Sequence, residues 1–151
     1  MILVLPIVVM SAPWWVITLG FFMMQFICGV ILALVFQAAH VLEETTFCVP
    51  DTEGNVESNW AIHQMQTTAN FAHGGRIFSW FIGGLNYQIE HHLFPNICHV
   101  HYKDLSVIVK QTAEEYGVPY IEFPTFYSAL KSHFKFLHKL GKHDYKPAMA
   151  A

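Results

Sequence analysis

The first 42 residues, Met1 to Leu42, contain no Asp, Glu, Lys or Arg. A helix crossing about 30 Å of hydrocarbon takes about 20 apolar residues at about 1.5 Å each, so this stretch is about two crossings long. Ser11, Pro13, Trp14 and Trp15 divide it, since proline breaks a helix and paired indoles suit a membrane interface. The pattern predicts a short first span from about Met1 to Met10, lying partly in the interface or continuing upstream in a longer parent. A second span is predicted from about Trp15 to His40. There is neither a basic n-region nor a small-residue cleavage site, which argues against a cleaved signal peptide. A buried hairpin in a soluble protein fits a run of this length poorly.

Beyond the spans the pattern turns helical and shorter. Cys48 to Asn59 is an acidic, turn-rich loop. Ser58 or Asn59 can cap a helix from Trp60 to about Ala72. Gly74 and Gly75 break the chain before a helical stretch from Arg76 to Phe94, stopped by Pro95. Its Phe78, Trp80, Phe81, Ile82 and Leu85 form an apolar patch fit to re-enter or skim a bilayer. A helix from about Lys103 to Tyr116 has Leu105, Ile108, Val109 and Thr112 on one side and stops at Gly117 and Pro119. Thr125 can cap a last helix ending near Gly141. There Phe126, Leu130, Phe134, Leu137 and Leu140 keep the helical period, while Lys131, Lys135 and Lys139 share another face. That helix packs on a core or presses against anionic lipid. The fold class expected is all-α: an integral membrane protein with one to two transmembrane helices (1–42) and a cytoplasmic helical cap (43–151).

Composition sharpens this picture. Hydrophobic residues are 54% of the chain and charged residues 13%, against about 25% charged in a typical soluble domain. Disorder is excluded, and a net charge of −3 argues against a nucleic-acid partner. Every Lys and Arg follows residue 75, which places the cap on the cytoplasmic side by the positive-inside tendency. The three cysteines, Cys28, Cys48 and Cys98, are too few and scattered for a disulfide framework and are expected as reduced, buried thiols. Ten histidines are the anomaly, and they point to metal or proton chemistry.

The densest candidate is Gln88-Ile89-Glu90-His91-His92. On a helix Gln88 shares a broad sector with His91 and His92 at i+3 and i+4. Imidazole nitrogens suit iron, copper or zinc, and an amide oxygen can complete a shell. Glu90 points elsewhere, towards a supporting or salt-bridging role. His40 ends the second span, where an ionisable group faces protein or a polar cavity, or reaches to water. His63, Thr67 and Asn70 fall at i, i+4 and i+7 on the helix after Trp60, either lining the roof of a site or forming an ordinary polar face. Cys98-His99-Val100-His101 resembles a small metal cluster, with hydrogen bonding or packing as the plainer role for His99 and His101. His133, His138 and His143 are spaced by five, about 140° per step on a helix, and are expected at a solvated surface.

Several strings read together carry a resemblance. They are His40-Val41-Leu42-Glu43-Glu44; Trp60-x-x-His63-Gln64 with Thr67-Thr68-x-Asn70-Phe71-Ala72; Gly83-Gly84-Leu85-Asn86-Tyr87-Gln88-Ile89-Glu90-His91-His92-Leu93-Phe94-Pro95; and Cys98-His99-Val100-His101-Tyr102. They resemble the C-terminal half of membrane fatty acid desaturases of the front-end, linoleoyl-CoA-desaturase-like type, over nearly the whole chain. The resemblance implies a helical membrane enzyme holding two iron ions in a histidine-rich cage. Gln88, His91 and His92 then match the third histidine box, with Gln for its first His, and His40 matches an isolated histidine at the end of the last span. It also implies removal of two hydrogens from a fatty acyl-CoA or acyl-lipid chain, with dioxygen reduced and electrons drawn from a b-type cytochrome or ferredoxin. The family's first and second boxes have no counterpart here. The chain is therefore expected to supply about half of the cage, as a truncated or split gene product incomplete alone. Other readings are a sphingolipid desaturase or acyl hydroxylase of the same superfamily, or a non-catalytic membrane fragment or partner subunit.

Overall fold

The computed structural model describes residues 2–47, 52–54 and 59–142; Cys48, Ser58 and His143 fall outside these. The chain divides into two compact units, Met1–Leu34 and Val35–Ala151. In the first, α1 (Val4–Val9) precedes the start of α2 (Trp14–His40). The six residues of α1, inside the predicted first span, rise about 9 Å. Among the described residues α2 alone is long and apolar enough to cross a membrane, with mean hydropathy 2.4. Its side chains from Trp14 to Leu32 are largely uncovered, Phe26 being 72% exposed. Cys28 is exposed among them and Cys98 is exposed elsewhere, so neither is the buried thiol expected.

The second unit contains α3 (Trp60–Gln66), β1 (Asn70–Phe71), α4 (Arg76–Phe81), α5 (Gln88–Leu93), a 3-10 turn (His99–His101), α6 (Tyr102–Tyr116), β2 (Glu122–Phe123) and α7 (Phe126–Gly141). Two strands of two residues pair in parallel, Asn70 with Glu122 and Phe71 with Phe123, so the fold is mostly rather than wholly helical. One core gathers Val35, Ala38 and Ala39 from the end of α2 with Phe71 and Ala129, flanked by Phe78, Ile82, Leu85 and Phe126. A second joins Met65, Ile89, Val109 and Ala113.

Two helices are shorter than their patterns predict. The helix from Trp60, capped by the Asn59 side chain, stops at Gln66 instead of Ala72. The Thr67 hydroxyl turns back to donate to the His63 carbonyl at 2.9 Å, and Asn70 leaves for the strand. The i, i+4, i+7 stripe of His63, Thr67 and Asn70 therefore does not form. The stretch from Arg76 likewise ends at Phe81 and resumes at Gln88. Gly83 and Gly84 occupy the left-handed region between them, at φ +64° and +76°, and Asn86 donates to Ser79 Oγ at 2.8 Å to hold the turn. A Cβ on Gly84 would lie 2.7 Å from that of His99. Gly84→Ala should therefore lose about 2–4 kcal/mol, combining left-handed strain with overpacking, readable as a lowered thermal midpoint in detergent.

At the other end, α6 closes on Gly117 at φ +65°, with the Val118 amide donating to Ala113 at 2.9 Å. Thr125 and Ser128 cap α7 reciprocally. The buried seam of α7 is Ala129, Ser132, His133 and Phe136, whereas Phe134, Leu137 and Leu140 are 57%, 42% and 39% exposed. Polar groups after α2 set this rotation. His133 Nδ1 lies 2.7 Å from the Val41 carbonyl, so His133 is buried rather than solvated. Ser132 bonds Glu44 and the Glu43 amide, and Lys135 and Lys139 both pair with Glu43.

Lys135 and then Lys139, through hydrogen bonds and charge, hold the Glu43 carboxyl below its ordinary value of 4.5. A depressed carboxyl contributes stability above its unfolded value and loses it as pH falls through the folded one. Glu43→Gln should therefore lower the thermal midpoint at neutral pH, and the difference from wild type should begin to shrink below about pH 4.5 and vanish once pH has fallen through the lower folded value.

Candidate metal centre

α5 is six residues long and presents its side chains in three directions. Ile89 enters the second core. Glu90 turns into a polar network, and Gln88 and His92 turn towards His40. The Gln88 amide nitrogen lies 3.2 Å from His40 Nε2. The His40 and His92 rings are 5.0 Å apart between centroids, and those of His91 and His92 are 5.9 Å apart. Two elements distant in sequence, α2 and α5, thus place four nitrogen- and oxygen-bearing side chains together.

The second ring nitrogens are already engaged. His92 Nδ1 sits 2.7 Å from Gln64 Oε1, and an amide oxygen only accepts, so Nδ1 carries the proton and Nε2 keeps its lone pair. His91 Nδ1 is 3.2 Å from the hydroxyl of Tyr102, a residue only 3% exposed. His40 is hydrogen-bonded to the backbone of Thr67. Burial, with the neighbouring His40 and His91, lowers the His92 pKa to about 4, so this imidazole is neutral at physiological pH. Such pairing of one ring nitrogen fixes the tautomer and aim of the other, as in protein metal sites.

Gln88 supplies the sharpest observation. It is 2% exposed, and its Oε1 is buried without a hydrogen-bond partner among the described residues. A buried amide oxygen left open is costly unless something accepts its lone pair. Neutral imidazoles beside an open amide oxygen are the donor set expected around a transition metal, and so these residues fit one. Among the described residues no three His, Cys, Asp or Glu side chains converge tightly enough to hold a metal by themselves. The set is a partial shell.

Glu90 is completely buried, and its partners are neutral. Asn70 Nδ2 donates to one carboxyl oxygen at 2.8 Å, and the Tyr120 hydroxyl donates to the other at 2.9 Å. Asn70 also donates to the Tyr120 oxygen at 2.7 Å and accepts from the Ile89 amide at 2.9 Å. Burial raises the Glu90 pKa, and it raises that of Tyr120 with help from the nearby carboxyl. This network ties β1, α5 and the segment before β2 at the turn carrying the candidate ligands.

The remaining candidates divide. His63 flanks Gln64 on α3, with a buried Nδ1 lacking a hydrogen-bond partner among the described residues, and Thr67 caps that helix through its hydroxyl. His99 and His101 are exposed on the 3-10 turn, His99 packing against Gly84. Neither is brought to the His40–His92 group by any recorded contact. Gln64 and Tyr102 stand inside the Trp60-x-x-His63-Gln64 and Cys98-His99-Val100-His101-Tyr102 strings without a role of their own there, and Tyr120 in neither; only the tertiary contacts give the three their roles.

A membrane-length apolar helix followed by a cap with an imidazole-and-amide donor group defines a helical, membrane-associated class of protein with a candidate metal centre. The fatty acid desaturase family profile matches residues 1–124. The chain belongs to that family. It is 49% identical over 115 residues to the sn-1 linoleoyl-lipid 6-desaturase of Synechocystis sp., covering 76% of this chain and 32% of that protein. It is 44% identical over 122 residues to the acyl-lipid (8-3)-desaturase of Physcomitrium patens, covering 81% and 25%. With the sn-1 linoleoyl-lipid 6-desaturase of Arthrospira platensis it shares 39% identity over 139 residues, covering 92% and 37%. The chain thus spans about a third or less of the length of the first two relatives and little more of the third. No solved structure matches it.

Proposed function

We propose that the chain forms part of a membrane-bound fatty acyl desaturase and gives His40, Gln88, His91 and His92 to a centre of two irons. The observation that carries this reading is the open, buried Gln88 Oε1 beside imidazoles whose far nitrogens are already bonded. Two irons need more donors than four side chains, so other protein segments complete the centre. When bound, the irons, with dioxygen and two electrons from a b-type cytochrome or ferredoxin, supply the power to oxidise an unactivated acyl chain, which side-chain acids and bases lack.

The chain's own residues hold and aim. Gln64 keeps the His92 proton on Nδ1, Tyr102 braces His91, and the Thr67 backbone braces His40. Apolar neighbours such as Ile89 and Met65 keep water from behind the ligand helix, which favours controlled oxidation over side reactions. The acyl chain would be carried on a lipid headgroup, because the relatives are named for lipid-linked acyl substrates. All eight Lys and Arg follow α2, which favours a cap on the cytoplasmic face.

The test is expression of the complete protein in a host fed polyunsaturated fatty acids, with gas chromatography of the lipid-derived methyl esters. One additional double bond is expected with wild type and none with His91→Ala, whose purified form should also carry less iron. Unchanged product from His91→Ala would overturn the ligand assignment, and an added hydroxyl group would make the enzyme a hydroxylase.

A further inference from the structure

We propose that the cavity lined by His73, Arg76, Ser79, Tyr87, His99 and Lys103 binds the phosphate of a membrane phospholipid headgroup. It encloses about 300 Å³ beside α4 and the start of α6. Among the described residues no Asp or Glu lines it. The neighbouring cavity, also touching His73, is by contrast lined by Glu114 and Glu122 with Lys110, and there Lys110 pairs with Glu122 at 2.9 Å.

Arg76 and Lys103 are exposed at this cavity, and neither side chain makes an ion pair or hydrogen bond among the described residues. Two unneutralised cations on one concavity attract an anion, and a guanidinium matches phosphate oxygens with two parallel donors. Ser79 Oγ accepts from Asn86 at 2.8 Å, which leaves its own proton free to donate. His73, whose Nδ1 lies 3.4 Å from Glu122, keeps a buried Nε2 without a hydrogen-bond partner among the described residues. His99 is held in the wall by its contact with Gly84.

What flanks the cavity selects the kind of anion. Trp80 lines it and is 78% exposed, and beside it Ile77 and Phe81 are 85% and 70% exposed. On the other side of α4, Phe78 packs in the core that holds Val35, Ala38 and Ala39 from the last turns of α2. α4 therefore lies beside the end of the membrane-length helix, where indole side chains favour the interface. A ligand with a phosphate head and acyl tails satisfies both the cations and the uncovered apolar side chains. A free phosphate ester uses only the cations.

The experiment uses the full chain in dodecyl maltoside micelles doped with phosphatidylglycerol, with retained lipid counted by native mass spectrometry. Wild type should retain one phosphatidylglycerol, and Arg76→Gln with Lys103→Gln should weaken retention about tenfold or more, as loss of a charge-assisted contact does. Lys131→Gln with Lys142→Gln removes the same charge from exposed positions elsewhere and should leave retention unchanged. Both pairs should keep the wild-type circular dichroism. Equal retention by the Arg76/Lys103 pair, or equal binding of uncharged diacylglycerol, would overturn the proposal. Binding of inorganic phosphate or coenzyme A that depends on Arg76 and Lys103, without phosphatidylglycerol binding, would overturn it in favour of a soluble phosphate ester. Neither readout depends on iron or product, so failure here leaves the desaturase reading standing, and the converse also holds.

Discussion

His92→Ala in the complete enzyme should abolish double-bond formation and lower the iron content of the purified protein. The reason is geometric. His92 is held from behind by Gln64 at 2.7 Å and stands beside His40 with its ring centroid 5.0 Å away, so its loss removes a donor already aimed at that group. The milder change Gln64→Leu leaves the imidazole present and removes the acceptor at Nδ1. It should weaken metal affinity about 10–100-fold, the usual effect of losing a ligand's hydrogen-bond partner. Gln64→Glu keeps an oxygen there and should restore most of that affinity. Iron retention under graded chelator, with the iron absorption spectrum, separates this effect from simple misfolding. Wild-type retention in Gln64→Leu would show that Gln64 does not aim His92.

Asn70→Ala should cost about 3–5 kcal/mol of stability, the largest loss expected from any side chain that is not a candidate ligand. Asn70 is fully buried and makes three hydrogen bonds, to Glu90, to Tyr120 and from the Ile89 amide. Truncating it strands a buried carboxyl oxygen and a buried backbone N–H, and each unsatisfied group costs about 1–3 kcal/mol. Tyr120→Phe removes one donor to Glu90 and should cost less, about 1–3 kcal/mol. Thermal unfolding of the full chain in detergent measures both. An Asn70→Ala midpoint equal to that of wild type would show that the network does not hold α5.

The sequence legible without coordinates was that of continuous pattern. An uncharged run from Met1 to Leu42 is enough to fix α2, because hydrocarbon solvation depends on composition over about 20 residues and not on partners. α6 and α7 were likewise readable from their caps, Gly117 and Thr125, since capping is a local hydrogen-bonding event. Gln88, His91 and His92 were legible as a group because helical spacing alone aims them into one sector.

Only the tertiary structure decided where the helix from Trp60 stops. Nothing within a few residues of Thr67 forces the chain out of a helix; Asn70 is claimed by Ile89 and Glu90, about twenty positions later. Tertiary contacts also chose the buried face of α7, through Glu43, Glu44 and Val41 some ninety residues earlier. Gln64, Tyr102 and Tyr120 gained their roles in the same way. Periodicity and capping are short-range and therefore visible in the order of residues, whereas satisfaction of a buried polar atom depends on whichever distant segment the folded chain brings beside it.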